Sequence, residues 1–277
     1  DFALAARIAR LPDAARSLLE SPAAPILIAT KGQDRLAPAI APDNPCIGVM
    51  LPYAPLHVLL LQEGPDCLVM TSGNLSEEPI CIDNAEALAR LRGIADAFLM
   101  HNRRISVRVD DSILLLPPEA LSRAAPHRCE PEGAAFRSPE PQGAASHGTQ
   151  PEAAASHSKR PETTADKTSP SPLRGEGRGE GAPRPTIVRR ARGYAPLAIE
   201  TGRDVDGVLA FGPFLKNTIA IGRGTRLYLG QHTGDLEHAS ALDMQDEIRR
   251  HLLAILGVVP RLVACDLHPD FPTTRLA

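Results

Sequence analysis

From about Pro117 to Pro185 the chain exchanges its large apolar side chains for Pro, Ala, Ser, Gly and scattered charge, ending in SPSPLRGEGRGEG over residues 169–181. A stretch of this composition buries too little apolar surface to offset the entropy of ordering its backbone. It is expected to be a disordered insertion, and the fold must be assembled from what flanks it. With 277 residues in all, the flanks can supply two modest domains, each with its own core.

Ahead of the insertion, apolar periodicity predicts a helix over about Leu4 to Leu19 and then a buried strand, Pro25 to Thr30. Further strands are expected at about His57–Gln62, Asp66–Thr71, Asp96–Met100, Ile105–Val109 and Ser112–Leu116. Pro52 and Pro55 restrict the backbone of GVMLPYAPLH, residues 48–57, which reads as an extended wall and not a helix. Asp83 and Glu86 have the capping-box spacing and open a short helix that Gly93 can close. After the insertion, Thr186–Arg190 reads as a strand that the preceding sheet can accept. These elements make an α/β domain with helices packed on a mixed sheet.

The remaining segment is ordered differently. Val208–Phe211 and Asn217–Ile221 read as strands, and Gly222-Arg223-Gly224 turns the chain into a third, Thr225–Leu229. Leu242, Ile248, Leu252, Leu253 and Leu256 fall on one helix face closed by Gly257, and Arg261–Asp266 is a returning strand. Three antiparallel strands, a helix and a returning strand form the opening half of a ribonuclease H-like or actin-like ATPase fold. The two domains are expected over residues 1–200 and 204–277.

A formal net charge of −3, with no Trp, 3 Tyr and 6 Phe, gives no electrostatic or stacking surface for nucleic acid. No apolar run approaches the roughly 20 residues of a membrane span and no leader pattern is present, so a cytoplasmic protein without a membrane partner is expected. Cys46, Cys67, Cys81, Cys129 and Cys265 are scattered without a CxxC pair and read as reduced thiols. Asp1 is not an initiator methionine, and both ends read as cut, so the chain is expected to be a fragment.

The chemistry-bearing residues gather in a few motifs. Thr71, Ser72, Asn74 and Ser76 follow the apolar run Cys67–Met70, and a strand opening into a small polar loop is where α/β proteins hold phosphate. The same residues also make ordinary turns. Arg108 needs a partner, either a ligand or Asp110 or Asp111. Those two acids suit Mg²⁺ near a triphosphate, although adjacent strand positions face opposite ways and at most one should reach the site. Arg189, Arg190 and Arg192, ahead of Gly193, form a phosphate-binding corner or a solvated basic turn. Lys216 and Asn217 sit at a strand return, where a charged hairpin tip is equally economical. His232 and Asp235, and Asp266 and His268, follow strands where such folds place active-site groups. Neither histidine has an HxxxH or HExxH spacing, so no metal ligand is assigned.

Read in order, GVMLPYAPLH, TSGNLSEEP (71–79), HNRRISVRVDDS (101–112), RRARGYAP (189–196), FLKNT (214–218), QHTGDL (231–236) and CDLHPD (265–270) closely resemble the hydrogenase-maturation carbamoyltransferase family, HypF. The resemblance implies a YrdC-like mixed-sheet domain followed by the first half of a ribonuclease H/actin-like (ASKHA) domain, TsaD-like in type. It implies that the complete enzyme takes carbamate from carbamoyl phosphate, joins it to ATP with Mg²⁺ as carbamoyl-adenylate, and passes the carbamoyl group to the C-terminal cysteine of HypE. On this resemblance Thr71, Ser72, Asn74, Ser76, Arg108, Asp110, Arg190 and Arg192 bind nucleotide. Lys216, Asn217, His232, Asp235, Asp266 and His268 line the transfer site. The family's Lys-x-Arg element, its HxxxH motif, and its acylphosphatase and zinc-finger modules are expected outside this sequence, along with zinc or another metal. Thr233 and Phe214 depart from the usual motif residues, and the chain alone is expected to lack complete catalysis.

Two rivals remain: a threonylcarbamoyl-adenylate synthase-like protein of tRNA modification, which shares the YrdC-like domain, and a non-catalytic remnant that only binds HypE. Double-stranded RNA binding, sometimes ascribed to YrdC-like domains through a basic concave face, is disfavoured by the slightly acidic charge.

Overall fold

The computed structural model describes residues 1–34, 36–76, 78–116 and 185–277. The segment expected to be a disordered insertion therefore lies outside the described residues.

Two short helices open the chain, α1 (Phe2–Ile8) and α2 (Asp13–Leu19). Asp1 caps α1 by accepting a hydrogen bond from the Leu4 amide at 2.9 Å. The single helix expected over Leu4–Leu19 is thus broken. Pro12, which lacks an N–H and crowds the preceding turn, takes the extended N-cap position of α2. The strands β1 (Ile26–Thr30), β2 (Cys46–Val49), β3 (Ile113–Leu115) and β4 (Thr186–Arg189) form a mixed sheet ordered β2-β1-β3-β4. β1 runs parallel to β3 with Leu27 opposite Leu114, and β4 lies antiparallel to β3. The strand after the low-complexity segment therefore does join the sheet formed before it. Phe2, Leu18, Leu19, Leu27, Leu114, Leu116 and Tyr194 form the core beneath.

The intervening stretch departs most from expectation. Residues expected as a strand at His57–Gln62 form α3 (Pro55–Glu63), with Pro55 in its first turn. A continuous apolar run does not separate buried strand from helix by its period, and proline at a first helical turn favours the helix. The strands expected at Asp66–Thr71, Asp96–Met100 and Ile105–Val109 form no ladder among the described residues. β1 and β3 already have neighbours on both sides, and a β-prone run without a partner backbone gains nothing from its propensity. Val69 and Leu99 are accordingly 75% and 73% exposed. The capping box is present: Asp83 accepts from the amides of Ala85 and Glu86, and Glu86 reaches back to the amide of Ile82. It opens α4 (Asn84–Leu91), which ends before Gly93.

The second sheet contains β5 (Ala198–Glu200), β6 (Val208–Ala210), β7 (Ala220–Arg223), β8 (Arg226–Leu229) and β9 (Leu262–Ala264), ordered β5-β8-β7-β6-β9. All pairs are antiparallel except β6–β9. Its hairpin turns at Gly224, with φ +57°, while Gly222 and Arg223 belong to the strand. Gly222 is required there, because a Cβ would lie 1.8 Å from the Val205 carbonyl oxygen. Helix α5 (Ala239–Leu256) buries Ala241, Met244, Gln245, Ile248, Leu252 and Leu256 and ends on Gly257 in the left-handed conformation, with α6 (Pro272–Leu276) beyond β9. Among the described residues no helix is long and apolar enough to cross a membrane. Cys67, Cys81 and Cys265 are free thiols, whereas Cys46 is disulfide-bonded, in contrast to the all-thiol expectation.

Candidate functional site at the junction of the two sheets

A cavity of about 360 Å³ lies where the two halves meet, and both sets of motifs contribute to it. From the first half come Ser72, Asn74, Glu78, Asp110 and Arg189; from the second come Lys216, His232, Thr233 and Asp235.

The loop on the first side is folded by Asn74. Its Nδ2 donates to the carbonyls of Leu75 at 2.8 Å and Glu78 at 2.9 Å, and the Cys81 amide closes onto Gly73 O at 2.9 Å. The amide half of Asn74 is thus committed to the loop, while its buried Oδ1 has no partner among the described residues. Thr71 and Ser76 are exposed and do not line the cavity. Asp110 does, and burial raises its pKa above the usual carboxylate range, with Asp111 adding to the rise and Arg189 and His232 opposing it. Arg189 Nη1 stands 3.8 Å from Asp110 Oδ1, and its Nε donates to Asp111 O at 2.9 Å.

On the second side, Lys216 bonds Asp235 through both its backbone N, at 2.7 Å, and its Nζ, at 2.8 Å. These bonds hold the Asp235 carboxyl below its ordinary range. His232 is held by its amide, which donates to Arg190 O at 2.8 Å. Burial, and then Lys216 and Arg189, lower its pKa, so the imidazole is kept neutral and able to accept a proton. Thr233 Oγ1 is buried without a partner among the described residues. The cavity therefore combines two cations, ionised and buried carboxyls, and a neutral base.

Other predicted site residues are placed elsewhere. Asn217 is fully buried; its Nδ2 donates to Phe211 O and Pro213 O and its Oδ1 accepts from Gln245, so it braces the core. Arg108 pairs with Glu86 and Glu247 rather than Asp110 or Asp111. Arg192 is consumed by Asp111 and by the carbonyls of Ala23 and Ala24, and stacks 3.6 Å from the Tyr53 ring centroid. Arg190 donates to Leu197 O, and its buried Nε has no partner among the described residues. Of the arginine corner, only Arg189 reaches the cavity. Asp266 accepts from the Phe214 amide and His268 stacks on Phe271, both outside the cavity lining. The sequence reading passed over Gln231, whose buried amide bonds the backbone of residues 108 and 110. Its place in the QHTGDL motif was the one available signal.

Among the described residues no three His, Cys, Asp or Glu side chains gather into a metal site of their own. A nucleotide-bound Mg²⁺ needs only one or two protein carboxylates beside phosphate and water. Asp110 fits that role, because a cation offsets the burial that disfavours its charge, whereas Asp111 is held by Arg192.

Residues 1–123 match the telomere-recombination family model, that of the YrdC-like domains, and residues 203–277 match the model of the HypF Kae1-like domain. The carbamoyltransferase HypF of Rhizobium leguminosarum bv. viciae and HypF2 of Cupriavidus necator are each 34% identical to this chain over 100% of its length. The chain spans 29% of each of these relatives. A crystal structure of full-length HypF in the phosphate- and nucleotide-bound form superposes with a TM-score of 0.73 at 32% identity, covering 100% of this chain and 34% of that one. The fold is a YrdC-like mixed sheet followed by an actin/ribonuclease H-like domain. From end to end, in both sequence and structure, the chain is similar to a stretch of the HypF carbamoyltransferases.

Proposed function

We propose that this chain is the adenylating and transferring portion of a cytoplasmic carbamoyltransferase of [NiFe]-hydrogenase maturation. Carbamate from carbamoyl phosphate joins the α-phosphate of ATP with release of pyrophosphate. The thiolate of the HypE C-terminal cysteine then attacks the carbamoyl carbon, and AMP leaves. The observation that carries this reading is the sharing of one cavity by the Ser72–Asn74 loop and the Lys216–His232–Asp235 group. Ser72 orients phosphate oxygens from a loop that Asn74 folds, and Arg189 and Lys216 offset the spread anionic charge of phosphoryl chemistry. Neutral His232 accepts the thiol proton. Mg²⁺, when bound, supplies charge neutralisation at the phosphates.

The test is carbamoyl-phosphate-dependent exchange of labelled pyrophosphate into ATP by the full-length protein, with Ser72→Ala/Asn74→Ala as the comparison. Exchange that falls by about 10²-fold or more supports the assignment, on the scale of removing preorganised donors. Exchange unchanged in the variant would sink it. The match of residues 1–123 to the wider YrdC-like family keeps a threonylcarbamoyl-adenylate synthase as the second reading. Pyrophosphate release that depends on threonine and bicarbonate instead of carbamoyl phosphate would favour it.

A further inference from the structure

Five charged side chains alternate in sign from the cavity wall into the second half of the molecule. Glu78, at the cavity, meets Arg90 Nη2 at 2.5 Å, and the other arm of Arg90 meets Glu86. Glu86 Oε2 stands 3.5 Å from Arg108 Nη2, and Arg108 Nη1 donates to both carboxylate oxygens of Glu247, at 2.7 and 2.5 Å. Arg108 Nε also donates to Ile80 O at 3.0 Å, on a residue that itself lines the cavity. Glu247 lies 139 residues further along the chain, on α5, about one turn past the cavity-lining Met244.

A second tie runs alongside. The Gln231 side chain, 6% exposed, donates through Nε2 to Arg108 O at 2.7 Å and accepts from the Asp110 amide at 3.2 Å. It imitates a strand neighbour for residues 108–110, and the next residue is His232.

We propose that Arg108 and Gln231 form a joint that couples the 72–80 loop of the first half to α5 and the His232 loop of the second. What occupies the cavity on one side is thereby felt on the other. A guanidinium is planar with donors in a fixed fork. It can satisfy Ile80 O, Glu86 and Glu247 together only while the loop and α5 keep one relation. At 14% exposure the Arg108 side chain is shielded from the screening that weakens surface pairs. Burial tends to raise the Glu86 pKa, but Arg90, the Ile82 amide and Arg108 bring it below its ordinary value, so Glu86 stays ionised between its two arginines. With both arms engaged, Arg108 is a positioning residue and not a phosphate ligand. The ligand-linked half of this proposal rests on the nucleotide reading above.

The test is hydrogen–deuterium exchange on the full-length protein, with and without Mg-ATP, for the parent and Glu247→Gln. Glu247 is half exposed, so the substitution spares folding. Asp243→Asn, an exposed change on the same helix, is the control. Without nucleotide, the amides of Cys81 and Ile82, bonded to Gly73 O and Glu86, are expected to exchange about tenfold faster in Glu247→Gln and at the parent rate in Asp243→Asn. Mg-ATP is expected to slow exchange in α5 of the parent and the control, but not of Glu247→Gln. Equal exchange at Cys81 and Ile82 in both variants overturns the joint, as does α5 protection by Mg-ATP that survives Glu247→Gln. If Mg-ATP alters exchange nowhere in the parent, the nucleotide reading fails instead, and the nucleotide-free comparison still decides the joint.

Discussion

Replacing Asn217 by alanine separates a core role from a catalytic one. The side chain donates to Phe211 O at 2.8 Å and Pro213 O at 2.7 Å and accepts from Gln245 Nε2 at 3.0 Å. After truncation Phe211 O keeps Gln245 as a donor at 3.2 Å, but Pro213 O loses its Asn217 partner and Gln245 loses an acceptor. Buried hydrogen bonds contribute about 1 kcal/mol each and a stranded polar group costs about 1–3 kcal/mol, so the loss sums to about 3 kcal/mol. At about 2–4 °C per kcal/mol for a unit of this size, Tm falls by roughly 6–12 °C in scanning calorimetry. Asn217→Asp points carboxylate oxygens at two carbonyls and destabilises at least as much. A Tm for the alanine variant within about 2 °C of the parent would refute the bracing role and return Asn217 to the transfer site.

Three further outcomes are expected. His232 has a folded pKa below its ordinary 6.5, so the unfolded chain binds more protons as pH falls through that value. Stability is fully present above pH 6.5 and is lost on acidification toward the depressed folded value; urea midpoints at pH 7.5 and 5.5 should differ less in His232→Gln than in the parent. Arg192→Lys loses the fork to Asp111 and the bonds to Ala23 and Ala24, costing about 1–3 kcal/mol in urea denaturation. Its Mg-ATP affinity should stay within threefold of the parent. Arg189→Met should weaken Mg-ATP binding by about tenfold or more in calorimetry while shifting stability by less than about 1 kcal/mol.

Local chemistry decided which features were readable in the sequence. Gly257, the Asp83–Glu86 box and the return of Thr186–Arg189 to the first sheet depend on near neighbours or on simple alternation, and each was legible. The opposed directions of Asp110 and Asp111 were also expected, and only Asp110 lines the cavity. The apolar run Val58–Leu61 within α3 was not legible, because four consecutive apolar positions have no period that distinguishes helix from strand. Arginine partners were illegible for another reason. A long charged side chain takes whichever carboxylate or carbonyl the tertiary fold brings within reach, and for Arg108 that was 139 residues away. Asn217 shows the reverse error: a polar residue in a motif was expected to face a ligand, yet the backbone carbonyls of a tight return needed a donor more.

The passage from one sheet to the other bears on how the molecule can be divided. Tyr194 is the last side chain of the first core, and β5, the edge of the second sheet, begins at Ala198. Only Ala195, Pro196 and Leu197 intervene, and just upstream Arg192 is bolted to residues 23, 24 and 111 while Arg190 O receives the His232 amide. The junction is a splice and not a tether, with no slack for the halves to drift apart and re-dock. Gene dissection should therefore treat the pair as one heritable piece: a boundary drawn a few residues upstream strips bolts from the first half, and one drawn a few residues downstream strips an edge strand from the second.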